Sequence, residues 1–275
     1  MQTGSHGAAL IRPGIFVADS VTSPGPEIAG NVLIAGSHCG VYAAYLAARL
    51  KVRGVILNDA GIGLDQAGIA GLDYLQRAGI AAAAIGHETA RIGDGDDAAA
   101  RGVVAWVNEA ARSLGCNPGE PAIDAAGRLC SAHCANGGAP EVGEGRHSID
   151  AAGTHDVVAL DSASLVLEED EKRIVITASH GGLLGGDPTT ALKIDVRAVF
   201  FNDAGVGCDG AGISRLPVLE SRGIAAGTVS HWTARIGDAR SSWETGVLSH
   251  VNRPAEKLGA KPGMQLREFV RMLAR

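Results

Sequence analysis

At 275 residues the chain is long enough for one large domain or two ordinary ones. With 46% hydrophobic and 20% charged residues, a net charge of −6 and scattered Lys and Arg, it reads as globular, and its charge points to neither nucleic acid nor a membrane surface as partner. The lack of a signal-like N-terminus, the lack of an apolar run near the roughly 20 residues of a membrane span, and an odd count of five cysteines argue against secretion, membrane insertion and a disulfide scaffold, so a cytoplasmic location is expected.

Residues 1–13 read as a loose lead-in. Residues 14–20 (G-I-F-V-A-D-S) form a short strand, and the Ser/Pro/Gly content of 22–30 signals a turn. Residues 31–36 are apolar throughout, as expected of a strand covered on both faces, and end at Ser37-His38-Cys39-Gly40. A helix over 41–50 and a strand over 52–57 lead to Asn58-Asp59. A glycine loop and a helix over 69–77 follow, then a strand over 80–85 ending near His87. Residues 96–114, acidic at the start with Arg112 near the end, predict one long helix. Residues 116–155, rich in Gly, Ala and Pro, read as a linker or inserted flap.

The same grammar then returns. Strands are expected over 156–162, 173–178, 196–201 and 224–229, and a helix over 242–258. The acidic stretch E-E-D-E-K at 168–172 reads as a charged hairpin tip.

The return is a tandem duplication. N-D-A-G-I-G-L-D-Q-A-G-I at 58–69 recurs as N-D-A-G-V-G-C-D-G-A-G-I at 202–213. Asn58 and Asn202, His87 and His231, Arg91 and Arg235, and Asp94 and Asp238 are each 144 positions apart; Ser37-His38 and Ser179-His180 are 142 apart. Strands alternating with helices imply an α/β fold with mostly parallel sheets and right-handed crossovers. The expected organisation is a first repeat over 1–115, the linker, and a second repeat over 156–275, related by a pseudo-two-fold axis.

In each copy three strands end in polar residues, S-H, N-D and H-x-T-A-R-I-G-D. Ligands of open parallel sheets bind outside the carboxyl ends of the strands. Identity between the copies concentrates at those ends while buried positions vary, which favours a site there over isolated caps and turns. His38, Asp59, His87, His180, Asp203 and His231 are the catalytic candidates. His38 and His231 come first as acid and base, with Asp59 and Asp203 orienting them. Ser37, Asn58, Arg91, Ser179, Asn202 and Arg235 are the substrate-binding candidates, the arginines gripping a carboxylate.

The expected function is a small-molecule hydrolase of an amide-like or ester-like bond in a small anionic compound, its site lying between the repeats. An isomerase or racemase using Cys39 and Cys208 is one rival, and a non-catalytic small-anion-binding protein another. No nucleotide motif is present and no cofactor is expected; a divalent metal is the one group that His38, Asp59 and His87 could hold. Cys130, His133 and Cys134 lack a standard zinc spacing. Low charge and an Ala-rich surface make a homo-oligomer plausible.

Overall fold

Alternation along the strands decides how each sheet is covered. In the run Val32-Leu33-Ile34-Ala35, Val32 and Ile34 join one buried cluster and Leu33 and Ala35 another, as a two-residue side-chain period requires. Val55 and Leu57 oppose Ile56 in the same way, and Ala82 and Ala84 oppose Ala81, Ala83 and Ile85. Strands apolar on both faces need a layer on each side.

The computed structural model describes residues 7–135 and 140–275. The first sheet contains β1 (Ala9–Arg12), β2 (Ile15–Ala18), β3 (Val32–His38), β4 (Gly54–Asn58), β5 (Ala81–Ile85) and β6 (Val104–Val107), paired in chain order. The inner pairs β2–β3, β3–β4 and β4–β5 are parallel, while β1 and β6 are antiparallel edges. The helices are α1 (Val41–Arg49), α2 (Gly71–Arg77), α3 (Gly95–Arg101), α4 (Glu109–Ser113) and α5 (Ala122–Leu129). Tyr45, Leu72 and Leu75 of α1 and α2 cover one face; Ala98, Ala111, Ala125 and Leu129 of α3, α4 and α5 cover the other.

The second sheet has the same order: β7 (Arg146–Ile149), β8 (Val157–Leu160), β9 (Ile174–His180), β10 (Ala198–Asn202), β11 (Ala225–Val229) and β12 (Leu248–Val251). Its helices are α6 (Arg215–Ser221), α7 (Ala239–Thr245), α8 (Arg253–Lys257) and α9 (Leu266–Ala274). Leu216 and Leu219 pack on the face carrying Val175, Val199 and Phe201. Phe269, Val270 and Leu273 pack on the other, with the Phe200 and Phe269 rings edge to face at 5.9 Å. The chain is therefore α/β, a tandem-duplicated unit with two mostly parallel six-stranded sheets.

Two compact units result. One comprises Met1–Ala60, Gly68–Val142 and Gly207–Asp209; the other comprises Gly61–Ala67, Gly143–Val206 and Gly210–Arg275. Each takes in a short glycine loop from the opposite repeat, a feature that division at 115 and 156 does not capture.

Four expectations need correction. The long helices over 96–114 and 242–258 are each a helix, an edge strand and a second helix. Gly102 and Gly246 leave helical geometry at ψ 135° and 129°, and Asn108 and Asn252 restart it as N-caps, their Oδ1 atoms accepting from Ala111 and Ala255 N–H. The lead-in contains β1, with residues 1–6 outside the described residues. The supposed linker contributes α5 and β7, with 136–139 outside the described residues. In α5, Ala122, Ala125, Ala126 and Leu129 are buried, an amphipathic helical stripe set in a stretch rich in Gly and Pro. Finally, 168–172 is no hairpin tip, because β8 and β9 run parallel. Asp170 is fully buried there and paired with Arg146 and Arg173.

Gly127 lies on the exposed face of α5, and a Cβ there would meet nothing within 4 Å. Gly127→Ala is expected to stabilise the protein by ~0.5–1 kcal/mol through helix propensity. No gain in urea unfolding would argue against a folded helix at this position.

Candidate active site

The polar strand ends of the first unit begin with a bend. Asn58 ends β4 with no exposed surface. Its Oδ1 accepts the Ala60 N–H at 2.9 Å and its Nδ2 donates to the Ala90 carbonyl at 3.3 Å. Asn202 repeats both bonds with Ala204 and Ala234. Beyond the amide the chain turns left-handed: Ala60, Gly61, Ile62 and Gly63 have φ of 49°, 74°, 66° and 69°. Ala204, Gly205, Val206 and Gly207 repeat this at 48°, 76°, 62° and 69°. A β-branched residue at positive φ is costly, so Ile62 and Val206 mark turns held by their surroundings. In the second unit a Cβ on Gly61 would lie 2.8 Å from Gly205 Cα and 2.9 Å from His231 Cδ2, which leaves room for glycine alone.

The following aspartate takes both donors of one histidine. Asp59 Oδ1 accepts the His87 backbone N–H at 2.9 Å and lies 2.9 Å from its ring Nδ1. Asp203 Oδ1 does the same for His231 at 2.9 and 2.7 Å. Both carboxyls are buried. Burial alone would raise the Asp203 pKa, but the His231 ring and backbone hydrogen bonds, with the Ser249 hydroxyl, hold it below the usual carboxylate range. Facing an ionised acceptor, Nδ1 carries the proton, and Nε2 keeps its lone pair. His231 also packs against Trp232, ring centroids 4.7 Å apart. Trp232 is 63% exposed, and Glu88 stands at its place in the first repeat.

His38 and His180 have the opposite polarity. Their Nδ1 atoms accept backbone N–H groups, from Gly40 at 3.1 Å and Gly182 at 3.2 Å, which puts the ring proton on Nε2. Burial pushes the His38 pKa down to about 4. Asp59 thus orients His87 rather than His38, because its carboxyl faces the end of β5.

The remaining candidates divide clearly. Ser37 and Ser179 accept the backbone N–H groups of Val21 and Ala163 at 3.0 and 2.8 Å, which secures the loops after β2 and β8. Arg91 donates through Nε to Asp209 at 3.0 Å, and Arg101 reaches the same carboxylate at 2.6 Å. Arg235 reaches Asp65 at 2.8 Å and Asp238 at 3.0 Å. Both candidate anion clamps therefore already hold carboxylates. Their partners, Asp65 and Asp209, close the repeated N-D-A-G-x-G-x-D motif, so the residues missed as functional pairs were visible as identities. Asp94 and Asp238 are helix N-caps as well.

The thiols lie in different settings. Cys39 is sealed in the core; burial first, then the charge of Asp59, raises its pKa. Cys208 is half-buried, its N–H bonded to the His87 carbonyl at 2.8 Å. Among the described residues no three His, Cys, Asp or Glu side chains converge as a metal-binding group, so His38, Asp59 and His87 are not gathered into one. No described helix is long and apolar enough to cross a membrane. Neither a protein family, nor a curated protein, nor a solved structure matches this chain.

A depressed histidine pKa couples stability to pH. The unfolded His38 takes up a proton near 6.5, the folded one near 4, so its contribution is complete above 6.5 and is lost as pH falls through that window. The loss is up to ~3 kcal/mol, less to the extent that the half-buried ring stays hydrated. His38→Asn should flatten the pH dependence of urea unfolding between these limits, and unchanged curves would remove the assignment.

Proposed function

We propose that the protein is a small-molecule hydrolase in which His87–Asp59 and His231–Asp203 are general-base dyads. The observation that carries this reading is the double hydrogen bond from each histidine to one buried Oδ1. It anchors each histidine through its backbone and its ring Nδ1, which makes Nε2 the proton-accepting nitrogen.

The proposed substrate is a small anionic compound with an amide-like or ester-like bond. Nε2 takes a proton from water as the oxygen attacks the carbonyl carbon. The aspartate stabilises the imidazolium without itself taking the proton. Collapse of the tetrahedral adduct breaks the C–N or C–O bond, and Nε2–H returns the proton to the leaving atom. Two-thiol isomerisation is the weaker reading, since Cys39 is sealed in the core and burial keeps its thiol protonated.

The test is hydrolysis of a panel of small carboxylate-bearing amides and esters by the full chain. On whichever compound turns over, His231→Asn or His87→Asn should lower kcat/KM by ~10²–10⁴-fold. Asp203→Asn or Asp59→Asn should approach that loss, because an amide no longer imposes the tautomer. Full activity in both histidine variants would end the proposal.

A further inference from the structure

The second repeat departs from the first between β9 and β10. The first has α1 after its strand; the second has an irregular loop with one 3-10 turn, Pro188–Thr190. Arg215 organises that loop. It occupies the position of Gly71, where a Cβ would lie 2.7 Å from the Cys39 carbonyl and 2.8 Å from Ala44 of α1. Without α1 the second repeat has space for a large side chain.

Arg215 is only 5% exposed. Nε donates to the Gly182 carbonyl at 2.8 Å and Nη1 to the Ala191 carbonyl at 3.1 Å, joining the two ends of the loop. The group lies over the Phe201 ring, 5.0 Å from its centroid. Carbonyls and a π-face accept hydrogen bonds and soften the charge, but neither neutralises it. Burial is the one influence on its pKa, which falls to about 10, with no carboxylate contributing.

Elsewhere in this unit the sealed Asp170 is met by two arginines. Buried charges are ordinarily paired, because the desolvation cost of a lone ion is several kcal/mol. The polar side-chain atoms sealed without a partner, among the described residues, are Ser242 Oγ and His250 Nδ1. Arg215 Nη2, from which no described residue accepts, is not among them and so keeps contact with solvent. Nearby in the chain, Gly185 and Gly186 have φ of 56° and 70°, and a Cβ on Gly186 would meet nothing within 4 Å.

From this geometry we infer that Arg215, framed by the 181–191 loop, binds a small oxyanion, a carboxylate or a phosphate, as its missing counter-ion. Nη2 supplies the donors and the loop carbonyls hold the fork still, which is the preorganised use of arginine. The site stands whether or not the histidine dyads catalyse.

Thermal unfolding of the full chain in inorganic phosphate, in acetate and in chloride at matched ionic strength tests this. Phosphate, acetate or both should raise Tm above the chloride reference, by on the order of 3 °C per tenfold once past saturation. A response to acetate assigns a carboxylate; a response to phosphate alone assigns a phosphoryl group. Arg215→Met should abolish the response, whereas an equal response in that variant would overturn the proposal, as would a wild type indifferent to both anions. Should Arg215→Met fail to fold, the Nε–H resonance of Arg215, assigned by its loss in Arg215→Lys, provides the readout. It should move saturably with the active anion, and a stationary resonance refutes the site.

Discussion

A carboxylate taken out of water must be given donors, and in each unit that requirement falls on the aspartate after the fourth strand. Asp59 and Asp203 receive two each from the histidine that follows the next strand. The bond therefore does more than orient a ring. It ties the ends of two neighbouring parallel strands, selects one imidazole tautomer and fixes where the following turn must begin. The asparagine before each aspartate completes the bend by satisfying the first turned N–H and the carbonyl of Ala90 or Ala234. Those bonds brace the turns in which Ile62 and Val206 stand at positive φ.

Around that shared fitting the repeats have diverged in complementary ways. The first fills the space beside β3 with α1, packed on Gly71. The second gives up the helix, and an arginine gathers the loop that replaces it. In its dyad, Asp203 takes the Ser249 hydroxyl and the Gly205 N–H, and His231 packs on Trp232. Duplication preserved the part that strand ends must solve in any copy, and left the surrounding loops free to acquire different chemistry.

Much of the fold was legible because parallel strands covered on both faces are spelled as unbroken apolar runs. The runs at 31–36, 52–57 and 80–85 became β3, β4 and β5 with shifts of a residue or two. What escaped had weak lettering. The edge strands β6 and β12 follow helices without a proline or a charge run to separate them, so Gly102 and Gly246 were the only breaks to read. α5 is an amphipathic stripe built mostly from alanines in a Gly- and Pro-rich stretch, while α9 does the same task with Phe269, Val270 and Leu273. In the site, the histidines and aspartates were readable as repeated identities, but which partnered which was not. Strand register decided that, and joined Asp59 to His87 instead of His38. Arg215 was hidden for the opposite reason, since comparing copies draws attention to what they share.

The glycine loops that each unit borrows from the opposite repeat have a consequence for biosynthesis. During translation, Arg91 and Arg101 emerge long before the Asp209 carboxylate that they share, so the first unit leaves the ribosome with only Asp94 and Asp97 beside these arginines and the His87 carbonyl without the Cys208 N–H. Its completion has to await the far repeat. The duplicated halves are thus copies in sequence without being self-sufficient in structure, and a gene cut back to either half would encode a unit with a piece missing.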